Sequence, residues 1–332
     1  MVRIADVAKM ANVSTATVSR VITNAGTVKK ETAEKVLEAI KKLNYQPNML
    51  ARQLRRSETK TILVIIPDIT NTFFSNVLRG IESVAIENDY QVLLGDAQNF
   101  VERETSYLVT LGQKKADGVI LLTARTNQEV LEELSEEYPV VLACEYYEGS
   151  TLPTVSIDNI SSARKAAEYL ISLNHKRIGH ISGPMNVVVG RDRLKGFHQA
   201  MAQHGLAVDP HLVQEGDFTY ESGFNLMMKF LTLDRPPTAV FAANDEMAIG
   251  AIKAAKSKGL KVPEDLSVVG FDDIKFSSIF EPALTTIAQP TFEMGEKAME
   301  LLLKLINNDE LEKNQFILDD QLVVRDSCME KM

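Results

Sequence analysis

Two patterns of apolar spacing divide this chain. Over the first 45 residues apolar positions return at helical intervals: Ile4, Val7, Ala8 and Ala11 share one face, and Asn12-Val13-Ser14 follows as a turn and cap. A second helix is predicted from Thr15. Ser14 accepts from its first-turn amides, Val18 and Val21 face inward, and Thr15, Ala16, Thr17, Ser19 and Arg20 lie on or near the outward side. A third pattern runs from Lys30 to Leu43, with apolar repeats at Ala33, Val36, Leu37, Ile40 and Leu43. Two short helices joined by a tight turn and braced by a third describe an all-α helix-turn-helix headpiece.

From Thr61 the apolar residues gather into short runs rich in β-branched side chains. TILVIIPDI, the helical stretch FFSNVLRGIESVAIENDY, QVLLGDA, a helix and GVILLTA alternate as βαβαβα. KRIGHISGP, a helix containing RLKGFHQAMAQHG, TAVFAAND, MAIGAIKAAKSKG, LSVVGFDD and TTIAQP repeat the alternation. That order predicts α/β architecture in two doubly wound lobes, each a parallel sheet covered by helices. The strand ends carry polar or aromatic residues, where such sheets place ligands, so a cleft between the lobes is the natural site. Between the two patterns, Pro47 is followed by Asn48 to Leu54, a segment of barely two helical turns that is too short to be stable alone; RRSETK after it reads as linker.

Composition then removes several functions. The 332 residues are 45% hydrophobic and 24% charged, as in ordinary globular proteins of two to three units. No run approaches the roughly 18 apolar residues of a membrane span, and no signal-type segment opens the chain, so the expected location is the cytoplasm. Cys144 and Cys328 give neither a disulfide framework nor zinc spacing and read as free thiols. His175, His180, His198, His204 and His211 are not at zinc-ligand intervals, so no metal is expected. The chain has no G-x-S-x-G, P-loop, H-E-x-x-H or dinucleotide fingerprint after the first body strand, and neither a catalytic residue nor a cofactor is assigned. The pair Asp272-Asp273, taken alone, would permit acid–base work.

The net charge of -9 seems to exclude a polyanion partner until it is divided. Residues 1–60 hold 12 Lys+Arg against 5 Asp+Glu, a net +7, and the other 272 hold 24 against 40, a net -16. A small basic module joined to an acidic body suits phosphate binding at one end, with the body opposing indiscriminate association. A helix entering a major groove wants short hydroxyl and methyl groups plus an arginine able to donate a bidentate pair to guanine. VSTATVSRVI supplies these, with Arg20 as the donor.

IADVAKMANVSTATVSRVI followed by VKKETAEKVLEAIKKLNYQPNMLARQL closely resembles the DNA-binding headpiece of the lactose-repressor/galactose-repressor family, through D-V-A, V-S-x-x-T-V-S-R and Y-x-P-N-x-x-A-R-x-L. By that likeness Thr15, Ala16 and Arg20 read bases, while Thr17, Ser19 and Asn24 position the backbone. Ala16 offers only a methyl contact, which leaves more of the readout to Arg20. The segment from Asn48 matches the family's hinge helix, ordered when two subunits pair it in the minor groove. Leu54 matches the leucine that wedges the central base step.

The resemblance continues through TILVIIPDITNTFFSNVLRGIE, PTVSIDN, HKRIGHISGP, RLKGF, GDFTYESG, PPTAVFAANDEMAIGA, GLKVPEDLSVVGFDD and PALTTIAQP, nearest in appearance to the cytidine, ribose and purine repressor branch. It implies a headpiece at 1–46, a hinge helix and linker at 47–60, and an effector-binding and dimerisation domain at 61–332. Within that domain the N-terminal lobe takes 61–156 and 290–318, and the C-terminal lobe 157–289 and 319–330. It also assigns a cleft. Phe73 and Phe74 place rings against a sugar or base, one of them being merely structural; Arg193 and Asp272 donate to and accept from ligand hydroxyls; Asn244 and Gln289 add amides; Phe218 matches an aromatic that covers a base. Arg125, after GVILLTA, adds a contact. Val187 and Val189 stand where the purine branch has arginine and threonine, which removes that polar clamp. Cys144 stands where several sugar-responsive relatives have aspartate, a lost acceptor unless Glu145 turns inward.

The expectation is a homodimeric repressor of a pseudo-palindromic operator, controlled by a pentose, a nucleoside or a related molecule, without a tetramerising heptad after Gln321. Three alternatives stay open. The same regulator answers to a partner protein instead; a solute-binding transport protein explains the body but not residues 1–60; a sugar or nucleoside enzyme explains the cleft and predicts turnover.

Overall fold

The computed structural model describes residues 2–22, 28–45 and 58–331. The chain divides into two compact units, Met1–Thr59 and Lys60–Met332, taken here in turn.

In the first unit, α1 (Ile4–Ala11), α2 (Thr15–Ile22) and α3 (Lys30–Leu43) enclose a small core of Val7, Ala8, Ala11, Val18, Val36 and Ala39. Asn12 ends α1 with a left-handed φ of 54°, a conformation its short polar side chain tolerates. The Ser14 hydroxyl accepts from the Thr17 amide at 3.1 Å, capping α2 after a three-residue turn. Leu37 is 55% exposed, because α3 centres its buried stripe on Val36 and Ala39 and Leu37 lies a further 100° around the helix from Val36.

The second unit holds two sheets with the same winding. The first contains β1 (Thr61–Ile66), β2 (Gln91–Asp96), β3 (Gly118–Leu121), β4 (Val140–Ala143), β5 (Thr154–Ile157) and β11 (Gln315–Leu318), in the order β11-β5-β4-β3-β1-β2 and parallel throughout. The second contains β6 (Ile178–Ser182), β7 (Val213–Glu215), β8 (Ala239–Ala242), β9 (Ser267–Asp272), β10 (Thr285–Ala288) and β12 (Gln321–Val323). Its order is β12-β10-β9-β8-β6-β7, and only β12 runs antiparallel, on β10. The central strands are buried on both faces, which is why they read as continuous apolar runs. In each sheet the winding reverses between two neighbouring strands, β1/β3 and β6/β8, and the crevice of a doubly wound fold opens there at the carboxyl ends.

The first sheet is covered by α4 (Phe74–Glu87), α5 (Val101–Gly112), α6 (Gln128–Glu137) and α12 (Thr291–Ile306). The second carries α7 (Asn159–Ser172), α8 (Val188–Gln203), α9 (Tyr220–Phe230) and α10 (Asp245–Ser257), with the short α11 (Lys275–Ile279) after β9. The chain passes from one sheet to the other three times, before α7, before α12 and between β11 and β12. Asp320, in the last passage, receives Ser162 Oγ and Lys165 Nζ, both at 2.6 Å, which fixes that passage to α7. Among the described residues no helix is long and apolar enough to cross a membrane.

Helices α7 and α8 approach closely at Gly196, where a Cβ would lie 2.2 Å from the Ile160 carbonyl oxygen and 2.8 Å from the Ala163 Cβ. Gly196→Ala must push the helices apart, and urea unfolding is expected to show a loss of about 1–3 kcal/mol. A neutral result would mean that α8 is free to shift on its sheet.

Candidate functional site

On the headpiece, the hydroxyl-rich helix α2 is anchored by the fully buried Val18 and leaves Thr15, Ala16 and Arg20 exposed, with Thr17 and Ser19 half-buried. The Thr17 hydroxyl lies 2.9 Å from that of Ser14 and so is tied into the cap. The helix therefore presents a shallow face of methyl and hydroxyl groups with one long cationic arm, the relief a groove-reading helix needs. Asn24, Asn48 and Leu54 lie outside the described residues.

In the second unit a cavity of about 560 Å³ opens at the carboxyl ends of both sheets, lined by residues from each. Phe73, Phe74, Arg125, Arg193, Phe218, Asn244, Asp272 and Gln289 all reach its wall. Strand ends place most of them: β1 precedes the phenylalanine pair, β3 precedes Arg125, β8 precedes Asn244, β9 ends at Asp272, and β10 precedes Gln289.

Arg193 is the hub. From α8 its Nε donates to Asn159 Oδ1 at 3.0 Å and its Nη1 to the Ala243 carbonyl at 2.5 Å. Nη1 also lies 3.3 Å from Asp272 Oδ1, and the guanidinium sits 3.7 Å above the Phe271 ring. Gln289 Nε2 donates to the same Asp272 oxygen at 2.7 Å. Burial pushes the Asp272 carboxyl up to about 6, with Arg193 and Gln289 pulling the other way. A buried arginine, carboxylate and amide in sequence form a donor–acceptor row suited to vicinal hydroxyls.

The aromatic walls differ. Phe73 and Phe74 meet edge to face at 5.1 Å, and both line the cavity while packing in the main core. Phe218 has a left-handed φ of 68°, and its ring rests on Gly183, where a Cβ would lie 2.1 Å from its Cζ. Val187, Val188 and Val189 pack with it and with Tyr146, making an apolar wall where a polar clamp would otherwise stand. Asn244 uses its amide inside the protein: Oδ1 accepts from the Met247 amide at 3.0 Å, and Nδ2 donates to the Phe218 carbonyl at 2.9 Å. It caps α10 and holds the Phe218 loop.

Glu145 does turn inward. Its Oε2 takes Arg125 Nη1 at 3.1 Å, both side chains being largely buried, and burial pushes its carboxyl up to about 7 against the pull of Arg125. The Arg125 backbone is itself held by the fully buried Glu104, which accepts from the Arg125 and Thr126 amides. Cys144 is buried at a φ of 70°, and burial pushes its thiol up, so it meets the cavity as an un-ionised group.

Sequence reasoning missed several wall and support residues. Asp68, Glu221 and Glu246 line the cavity. Behind Asp272, the fully buried Asp245 accepts from the Ile274 amide at 2.9 Å and from the hydroxyls of Ser277 and Thr286 at 2.6 Å each. It thereby fixes the turn in which Asp272 holds a φ of 110°. Position within two residues of a strand end or in a helix first turn was the available signal for Asp68 and Glu246. Among the described residues no cluster of His, Cys, Asp and Glu is arranged to hold a metal ion.

Two family descriptions match: "Bacterial regulatory proteins, lacI family" over residues 3–48 and "Periplasmic binding protein-like domain" over residues 167–328. The HTH-type transcriptional repressor CytR of Escherichia coli K12 is 43% identical over 323 residues, covering 97% of this chain and 95% of that one. Among solved structures, the Lac repressor dimer bound to operator and the anti-inducer ONPF superposes with a TM-score of 0.90 at 31% identity, covering 99% of each chain. A LacI family transcriptional regulator from Enterococcus faecium with bound ribose superposes with a TM-score of 0.74 at 30% identity, covering 82% of this chain and 100% of that one.

Proposed function

The chain belongs to the lacI family of bacterial regulatory proteins, DNA-binding transcription repressors with an effector-binding domain, and we propose that a small sugar or nucleoside held between its lobes sets its operator affinity. It is not an enzyme. In this reading residues 1–46 form the DNA-binding headpiece, 47–60 the hinge and linker, and 61–332 the effector-binding and dimerisation domain. It works in the cytoplasm as a homodimer on a pseudo-palindromic operator; the Lac repressor, a relative, is a dimer bound to operator in its solved structure. Thr15, Ala16 and Arg20 read base edges; Thr17, Ser19, Asn24 and Asn48 position the backbone; Leu54 wedges the central step.

The observation that carries the effector half is the buried row Arg193–Asp272–Gln289 on the wall of a cavity flanked by Phe73 and Phe218. The row satisfies ring hydroxyls from both sides, and the rings supply flat apolar faces for a sugar or a base. The cleft lies between two lobes joined by three strands of chain, so ligand affinity that differs between open and closed lobes shifts the population of the DNA-binding form.

The test is a fluorescence-anisotropy titration on an operator selected from random DNA, repeated with a panel of pentoses, nucleosides and purines. A ligand that displaces the curve is expected, and the direction of displacement identifies inducer or corepressor. Tight operator binding that no ligand alters would move control to a partner protein.

A further inference from the structure

We propose that Tyr146 and Asp192 form a latch that holds the two lobes together before any effector binds, so that the protein itself presets the closed form. The inference deepens the effector reading by naming a contact that sets the lobe equilibrium on which that reading depends.

Tyr146 stands in the loop after β4, on the first sheet, and Asp192 stands in α8, on the second. The tyrosine hydroxyl donates to Asp192 Oδ2 at 2.7 Å. Its ring packs on Val187, Val188 and Val189, at the start of α8. Val188 and Asp192 are four residues apart, so one face of that helix carries both the bed for the ring and the acceptor for its hydroxyl. The adjacent tyrosine turns the other way. Tyr147 packs in the core of the first lobe and donates to the Thr126 carbonyl of the same lobe.

Two observations separate the pair from the effector site. The polar pairs of the cleft described above each stay within one lobe, Arg125 with Glu145 on the first and Arg193 and Gln289 with Asp272 on the second, so they do not tie the lobes. Neither Tyr146 nor Asp192 lines the cavity of about 560 Å³. Tyr146 lines instead a pocket of about 70 Å³, with Arg125 and Glu145 on one side and Val187, Val188 and Arg191 on the other, a space too small for a sugar or a base. The pair therefore acts on the lobes and not on the ligand. Asp192 is buried, which raises its carboxyl, while the Tyr146 hydroxyl pulls it down. Opening the lobes returns both groups to water; closing them without the hydroxyl leaves a buried carboxylate short of a donor.

Double electron–electron resonance on the full-length protein, without operator or effector, tests the latch. Glu102→Cys on α5 and Asn225→Cys on α9 put one exposed label on each lobe, and excess unlabelled protein removes signals between copies. Burial pushes both native thiols up, which directs labelling to the introduced cysteines. The unliganded protein is expected to show one dominant separation. Tyr146→Phe should raise the ratio of longer separations to it by on the order of tenfold, and Tyr146→Ala, which also clears the valines, should raise it further. In an Asp192→Ala background Tyr146→Phe should do far less, since the two side chains share one contact. A distribution that Tyr146→Ala leaves unchanged overturns the latch, and so does a Tyr146→Phe effect of equal size in both backgrounds.

The operator titration distinguishes that failure from failure of the effector reading. Where a compound of the pentose, nucleoside and purine panel shifts operator affinity, Tyr146→Phe without ligand should shift it the opposite way, because the compound favours the closed form and the variant disfavours it. A shift in the same direction overturns the latch and leaves the effector site standing. If no compound shifts operator affinity, the effector reading fails while the lobe separations still decide the latch.

Discussion

Arg193→Ala is expected to weaken effector binding by more than about 100-fold, because in the proposed site two charge-assisted hydrogen bonds of about 1.5–3 kcal/mol each would leave with the side chain. The loss is not confined to ligand. Arg193 also holds Asn159 Oδ1 at 3.0 Å and the Ala243 carbonyl at 2.5 Å, pairs with Asp272 at 3.3 Å and covers the Phe271 ring at 3.7 Å. Breaking a buried pair from one side ordinarily costs about 3–5 kcal/mol, since the remaining charge is stranded.

Proton uptake limits that cost. Asp272 already sits at about 6 with Arg193 pulling it down, so its carboxyl rises further once the guanidinium is gone. An acid whose folded value lies above its unfolded one loses stability as pH rises through the folded value. Below about 6 both proteins hold the proton when folded; above it the wild type releases it first, so the deficit of the variant widens with pH. Urea unfolding on either side of that pH checks the sign, and a deficit independent of pH would show that Asp272 does not feel Arg193. Arg193→Lys separates the two roles. It returns a cation beside Asp272 and most of the stability, but it has no planar fork for the Asn159, Ala243 and ligand acceptors together, so effector affinity stays low.

Fold class was readable because the apolar spacing changes character between the headpiece and the body, and the longer strands end on marked residues such as Phe73 after TILVII and Asp272 at the end of SVVGFD. Short strands were less readable. Val140–Ala143 and Thr154–Ile157 are four residues each, and only pairing with neighbours distant in sequence makes them strands. Within the cleft, a polar residue that closes an apolar run announces itself. Its partner does not. That Arg125 meets Glu145, that Asn244 serves Phe218, and that Asp68 and Glu246 face one cavity all depend on which strand ends become neighbours. Sheet order decides that, and no local pattern encodes it. The left-handed backbone at Cys144, Phe218 and Asp272 is likewise imposed by the packed surroundings, since none is a residue that favours positive φ strongly enough to predict it.

Arg20→Ala is expected to lower affinity for the selected operator by about 10–100-fold, the worth of one bidentate guanine contact at about 1–3 kcal/mol. Its place on α2 argues for so large a share. The residues exposed beside it offer only hydroxyl and methyl groups, and Ala16 supplies a methyl alone, so no neighbour can replace the lost donors. Fold stability should change by no more than about 0.5 kcal/mol, because the helix is anchored by Val18 and capped by Ser14, and Arg20 lies on its exposed side. Affinity for a scrambled duplex should fall far less, since a base contact contributes nothing where the base is wrong. Anisotropy titrations on both duplexes across a salt series, with thermal unfolding of the same variant, distinguish the possibilities. Equal losses on both duplexes, with the salt slope reduced by about 1, would make Arg20 a phosphate contact. A matching loss of thermal stability would make it part of the helix's own support, and the readout would then have to come from Thr15 and its neighbours.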